Sequence, residues 1–119
     1  MIDCHTHPLA HTGGKYTLDK LRPFVEKAIA NGLKGLAFTD HEWYKDDIDP
    51  EVVEKLQREY PEFKVLLGIE IDYAPGRQEE IRKIIAEKPY DFAIGSVHHI
   101  AGWPFDHPDY RDEYQKWDI

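Results

Sequence analysis

Apolar and polar positions fall in blocks along the chain, and the period of the pattern switches repeatedly between strand-like and helix-like. Three short apolar runs stand out: Gly35 to Thr39, Val65 to Ile69 and Phe92 to Val97. Their length and their β-branched and aromatic content predict buried strands. A fourth strand opens the chain, where Met1-Ile2 leads into Asp3-Cys4-His5-Thr6-His7 and Pro8 stops the ladder. Between these runs the apolar residues take helical spacing. Leu18, Leu21, Val25, Ala28 and Ile29 make one stripe, with Thr17 as N-cap and Asn31-Gly32 as its end. Pro23 inside that stripe predicts a kink or a later start. Val52, Val53 and Leu56 make a second stripe, opened by Asp49-Pro50 and closed by Pro61. Ile81, Ile84 and Ile85 make a third, broken by Lys88-Pro89, and Tyr110, Tyr114 and Trp117 begin a fourth. Leu9 to Tyr16 and the stretch holding Trp103, Pro104, Phe105 and Asp106 read as loops. Strands alternating with helices predict an α/β fold with a parallel sheet and right-handed crossovers. At 119 residues this is one domain at most, residues 1–119.

The polar residues at the strand ends carry the candidate chemistry. Side chains of an extended strand alternate faces, so Asp3, His5 and His7 point one way and Cys4 and Thr6 the other. The later strands end in Asp40-His41-Glu42, in Glu70-Ile71-Asp72 and in His98-His99. Each group alone has an ordinary reading, as a loop histidine or a solvated strand end. Together they deliver two histidines, one histidine, a glutamate and one histidine to the C-terminal rim of the sheet. That rim is where barrels and open α/β sheets place their active sites. The set predicts a metal centre, and a mixed imidazole and carboxylate shell suits zinc, iron or manganese.

The charge narrows the partners. A net charge of −8 argues against a nucleic-acid backbone, and an acidic protein handling an anionic substrate needs cations to hold it. One cysteine allows no internal disulfide, and Met1 leads straight into the candidate site without a signal peptide, so a cytoplasmic location is expected. No apolar run approaches the ~20 residues that span a membrane.

Four motifs in order, Asp3-x-His5-x-His7, Thr39-Asp40-His41, Gly68-Ile69-Glu70-Ile71-Asp72 and Gly95-Ser96-Val97-His98, resemble those of the PHP (polymerase and histidinol phosphatase) superfamily. Within it, Gly68 to Tyr73, Asp91 to His99 and Gly102 to Asp106 are most similar to the histidinol-phosphate phosphatases. The resemblance implies a distorted, seven-stranded, TIM-like (β/α) barrel, of which this chain supplies about four βα units. It also implies a cluster of two to three zinc, iron or manganese ions. By that likeness His5 and His7 bind the first metal, His41 helps bind the second and His98 binds the third, while Glu70 bridges two. His11 is the candidate for a further ligand of the second metal, although it sits closer to His7 than is commonest in the family. Asp3, Asp40 and Asp72 would orient the imidazoles from behind. Lys15, beside Gly13-Gly14, and His99 are candidate substrate contacts, with a surface lysine and a structural histidine as the plainer readings. Glu70, His41 and His98 would act catalytically through bound metals and a metal hydroxide.

The activity implied is hydrolysis of a small phosphorylated substrate, L-histidinol phosphate, to histidinol and phosphate in histidine biosynthesis. The alternatives are another PHP phosphoesterase acting on nucleotides or sugar phosphates, an amidohydrolase, or a catalytically inactive metal-binding half-barrel. Bridging by Glu70 within Gly-Ile-Glu-Ile-Asp, together with Gly-Ser-Val-His, favours the phosphatase over the amidohydrolase. The family pattern also includes a further histidine and a C-terminal Asp-x-His, which the chain stops short of, although His107 could stand in for one ligand. The expectation is therefore a truncated barrel, completed by its missing C-terminal half or by a second copy in a homodimer.

Overall fold

The computed structural model describes residues 1–100, 102–105, 107–109, 111 and 112. Strands β1 (Ile2–Thr6), β2 (Gly35–Phe38), β3 (Lys64–Asp72) and β4 (Phe92–Ser96) lie side by side, all parallel, in sequence order. Each strand thus neighbours the one before it. A doubly wound sheet would reverse its strand order at a switch point; an unbroken order is the winding of a barrel. The sheet is a four-stranded part of such a barrel.

The helices form where the apolar stripes place them. A short helix, α1 (Pro8–Thr12), precedes α2 (Leu18–Ala30), the helix that crosses from β1 to β2. Thr17 caps α2 by accepting from the Lys20 backbone N–H at 3.2 Å. Gly32, at φ 78°, reverses the chain so that Leu33 N–H reaches the Ala28 carbonyl at 3.0 Å. The later start expected at Pro23 does not occur: α2 runs from Leu18 to Ala30 with Pro23 inside it. Pro23 is exposed, and its ring removes only one ladder bond, the one to Asp19 four residues back. Helix α3 (Pro50–Glu59) starts where expected, with the Asp49 carboxylate accepting from Glu51 N–H at 3.0 Å. Leu21, Val25 and Ala28 of α2 and Val52, Val53 and Leu56 of α3 bury against Leu36, Phe38, Val65 and Leu67. Helix α4 (Gln78–Ala86) packs a smaller cluster, Ile84 on Ile69 and Ile71. At about 1.5–3 kcal/mol per fully buried aliphatic or Phe side chain, the α2/α3 layer dominates stabilisation.

Three elements differ from expectation. The stretch after β1, read as a loop, contains α1, because Pro8 suits the first position of a helix as well as the end of a strand. A 3-10 helix (Glu42–Asp47) follows β2. The loop beyond β4 holds a two-residue antiparallel pair, β5 (His99–Ile100) and β6 (Trp103–Pro104). The expected fourth helical stripe, Tyr110, Tyr114 and Trp117, lies outside the described residues, as does Asp106. Among the described residues no helix is long and apolar enough to cross a membrane.

Candidate metal centre

Glu70 is the centre of the site. It lies on β3 between the two inner-sheet neighbours and is only 3% exposed. β2 ends at Phe38, yet pairing resumes beyond it: Glu70 N–H donates to the Asp40 carbonyl at 3.0 Å, and His41 bridges to Glu70. Gly68 lets the sheet close here. A Cβ on it would come within 3.0 Å of Thr39 Cγ2 and 3.1 Å of the Phe92 ring, too tight for either to yield freely.

β1 reaches the site through an irregularity. Its register runs from Asp3 opposite Leu36 to Thr6 opposite Phe38, so three steps on β1 answer two on β2. Such a bulge re-aims side chains and is common beside active sites. Two hydroxyls repair the ladder: Thr39 Oγ1 accepts from Thr6 N–H at 2.9 Å, and Thr6 Oγ1 donates to the Ala37 carbonyl at 2.6 Å.

The donors then form two groups that share one carboxylate. His5 Nε2 and His7 Nε2 each lie 3.0 Å from Glu70 Oε2 and 3.0 Å from one another. His41 Nδ1 lies 3.5 Å from the same oxygen, and His98 Nε2 lies 3.5 Å from Glu70 Oε1. His5, His7 and Glu70 make one candidate ion site, and His41, Glu70 and His98 the other. These separations fit a shared ion, because N and O ligands about 2.0–2.1 Å from a metal sit roughly 3–3.4 Å apart. His41 Nδ1 is moreover buried without a hydrogen-bond partner, as is His7 Nδ1. An orphaned buried nitrogen costs stability unless something binds it.

Electrostatics point the same way. Burial pushes the Glu70 carboxyl up, but hydrogen bonds from His5 and Ser96 and the nearby His41 and His7 outweigh it and hold it below the usual range. Burial lowers the His41 pKa, the Glu70 carboxylate opposes this, and His7, His98 and His5 lower it further. An anionic carboxylate beside a neutral His41 imidazole is the protonation state that ligates a cation.

The residues behind the donors divide. Asp72 Oδ1 lies 3.2 Å from His98 Nδ1 and accepts from His98 N–H at 3.3 Å, leaving Nε2 turned toward Glu70. Asp40 touches no imidazole by hydrogen bond. It is fully buried and accepts from Leu9 N–H at 2.9 Å and Tyr16 O–H at 2.8 Å, which anchors α1 and the following loop to the rim. Asp3 accepts from the His5 backbone N–H at 3.1 Å rather than from a ring. His11 lies in the last turn of the short helix α1, is exposed and joins neither group. Lys15 is exposed beyond the glycine loop, whose Gly13 carbonyl is taken by Lys20 Nζ. His99 is half exposed, with Nδ1 3.4 Å from Asp72 Oδ2. Cys4 is exposed and outside both groups, and His107 is exposed 3.5 Å from Asp109.

Sequence reasoning missed three contributors. Ser96 Oγ lies 3.2 Å from His98 Nε2. Arg77 grips Glu42 with both terminal nitrogens, at 2.7 and 3.2 Å, and also donates to the Asp72 carbonyl. That pair ties the 3-10 helix to the end of β3. Trp43 stacks on His41 with ring centroids 4.1 Å apart. Trp43 and Ser96, each two residues from a candidate ligand and Ser96 within the Gly95-Ser96-Val97-His98 motif, offered a signal; Arg77 offered none.

Comparison with known proteins agrees with this arrangement. Residues 3–119 match the PHP domain family. A probable histidinol-phosphatase of Deinococcus radiodurans is 35% identical over 135 residues, covering 100% of this chain and 50% of that protein. The histidinol-phosphatase of Lactococcus lactis is 35% identical over 90 residues, covering 67% of this chain and 34% of that protein. The crystal structure of histidinol phosphate phosphatase from Lactococcus lactis, complexed with zinc, L-histidinol and phosphate, superposes with a TM-score of 0.67 at 31% identity. It covers 85% of this chain and 41% of that one. The chain thus spans about half, or less, of the length of the relatives it matches. With donors in family order on four adjacent parallel strands and a match running almost end to end, the chain belongs to the PHP domain family.

Proposed function

We propose that the chain carries the metal-binding part of a phosphomonoesterase that hydrolyses L-histidinol phosphate to histidinol and phosphate. The observation that supports this most is the convergence of His5, His7, His41 and His98 on the two oxygens of Glu70. The likeness to a phosphatase solved with zinc, L-histidinol and phosphate supports the choice of ester.

Ions of zinc, iron or manganese bound there would neutralise charge on phosphoryl oxygens and acidify water for attack on phosphorus. The protein's own part is placement. Glu70 is fixed by its backbone bond to Asp40 and keeps its negative charge at neutral pH. Asp72 fixes the ring of His98 from behind. Thr39 and Asp40, which lead into His41, are fully buried.

A second reading, a metal-binding half that turns over only when another chain segment completes it, draws support from the sheet. Among the described residues β1 and β4 are each paired along one edge alone. Phosphate release from L-histidinol phosphate by the metal-loaded chain, set against nucleotide and sugar phosphates, tests the first reading. Preference for a nucleotide would discard the histidinol ester. Folded, metal-replete chain that releases no phosphate from any ester would leave the second.

A further inference from the structure

Trp43 is 59% exposed, at the mouth of the second donor group. Leaving a large aromatic in water forfeits much of its burial energy, and its neighbour Tyr44 instead packs against the main core. Nor is the indole loose. It stacks on His41 at 4.1 Å and 8°, and His41 stacks on His7 at 4.3 Å and 2°. Three rings therefore lie parallel, with Trp43 outermost. It also meets His98 in a T-shaped arrangement, ring centroids 6.4 Å apart at 64°. The backbone beneath it is pinned by the paired bonds from Arg77 to Glu42. The result is a held π surface, covered on one side by a donor of the metal site and more than half exposed.

Building on the phosphatase reading, we propose that Trp43 is a specificity-determining residue, a platform that holds a planar aromatic or cationic leaving group of the phosphomonoester. Stacking and cation–π contact both suit such a group, and neither recognises a short aliphatic alcohol. Because the platform is ordered before the ligand arrives, little side-chain entropy is lost on binding. A phosphate seated over the two donor groups would place the rest of the ester beside this ring, since His41 belongs to both features.

The test uses the zinc-loaded 119-residue chain as wild type, Trp43→Phe and Trp43→Ala. Two quantities are measured: the ratio of kcat/KM for L-histidinol phosphate to that for glycerol phosphate, and the affinity for L-histidinol by calorimetry. The platform predicts that Trp43→Ala lowers the ratio about tenfold, chiefly through KM, and weakens L-histidinol about as much. Trp43→Phe should restore most of both. If both esters slow together and the ratio stays fixed, Trp43 merely props His41 and the proposal is overturned. If wild type hydrolyses neither ester, the phosphatase reading fails and the calorimetry decides alone. L-histidinol binding that depends on Trp43 then upholds the platform; binding that ignores the substitution, or no binding, overturns it.

Discussion

The two ends of the same sheet are built to opposite rules. At the end where the strands begin, main-chain groups are satisfied: Lys34 N–H reaches the Met1 carbonyl at 2.8 Å and Lys64 N–H the Lys34 carbonyl at 3.0 Å. A cavity of about 430 Å³ there is walled by Ile29, Leu33, Tyr60 and Phe63, with Tyr60 O–H bonded to Glu26 at 3.0 Å. At the end where the strands finish, a buried carboxylate is crowded by four imidazoles, and two ring nitrogens have no partner. One end is closed by satisfied main-chain bonds; the other holds ring nitrogens whose lack of a partner costs stability until something binds them. The contrast separates residues that keep the chain folded from residues that give it chemistry.

Substitutions can sharpen that separation. Glu70→Gln should have the largest effect, removing the donor common to both groups. We expect at least about a 100-fold loss of zinc affinity, no turnover, and a metal-free stability within about 1 kcal/mol of wild type. Full metal content by elemental analysis would refute the shared role. Leu56→Ala, in the α3 layer far from the rim, should do the reverse. It should cost about 2–5 kcal/mol in urea unfolding while the folded fraction binds metal normally. If it also stripped the metal, the two ends would not be independent.

Asp72→Ala should be milder, lowering zinc affinity about 10–100-fold by freeing the His98 ring. An unchanged isotherm would mean that packing alone orients His98. Asp40→Asn should be smallest. Burial raises the Asp40 carboxyl above its ordinary value against the bonds from Tyr16 and Leu9. A raised folded pKa means that the folded state holds the proton more tightly. The contribution is therefore full below about pH 4 and is lost as pH rises through the folded pKa. Asparagine removes that titration, so the stability difference between variant and wild type should change across this acid window and be flat above it. A difference independent of pH would show that Asp40 does not titrate there.

Much of this arrangement was legible in the chain because periodicity and position carried it. Strands that lead to His41, Glu70 and His98 are recognisable from short apolar runs followed by polar groups, and Thr17, Gly32 and Asp49 mark helix ends through side-chain and backbone rules. What escaped depends on contacts between distant segments. Glu42 and Arg77 are 35 residues apart, and nothing local to either announces the pair. Asp40 looked like a support for an imidazole, yet its carboxylate turns inward to Leu9 and Tyr16, which only the docking of α1 decides. Pro23 misled about where α2 begins, because proline's lost bond falls on an exposed face.

The sharing of Glu70 between strand ends has a consequence for how the protein holds together. Its partners come from β1, from the segment after β2 and from the segment after β4, so two ions, one in each group, would together tie the whole sheet as cross-links would. Such a tie exists only when every strand is in register. Free metal at 100 times its dissociation constant would add about 2.7 kcal/mol to folding, a large share of a small domain's stability. A chelator would then lower the unfolding midpoint of this chain by withdrawing that contribution, and would loosen all four strand ends together.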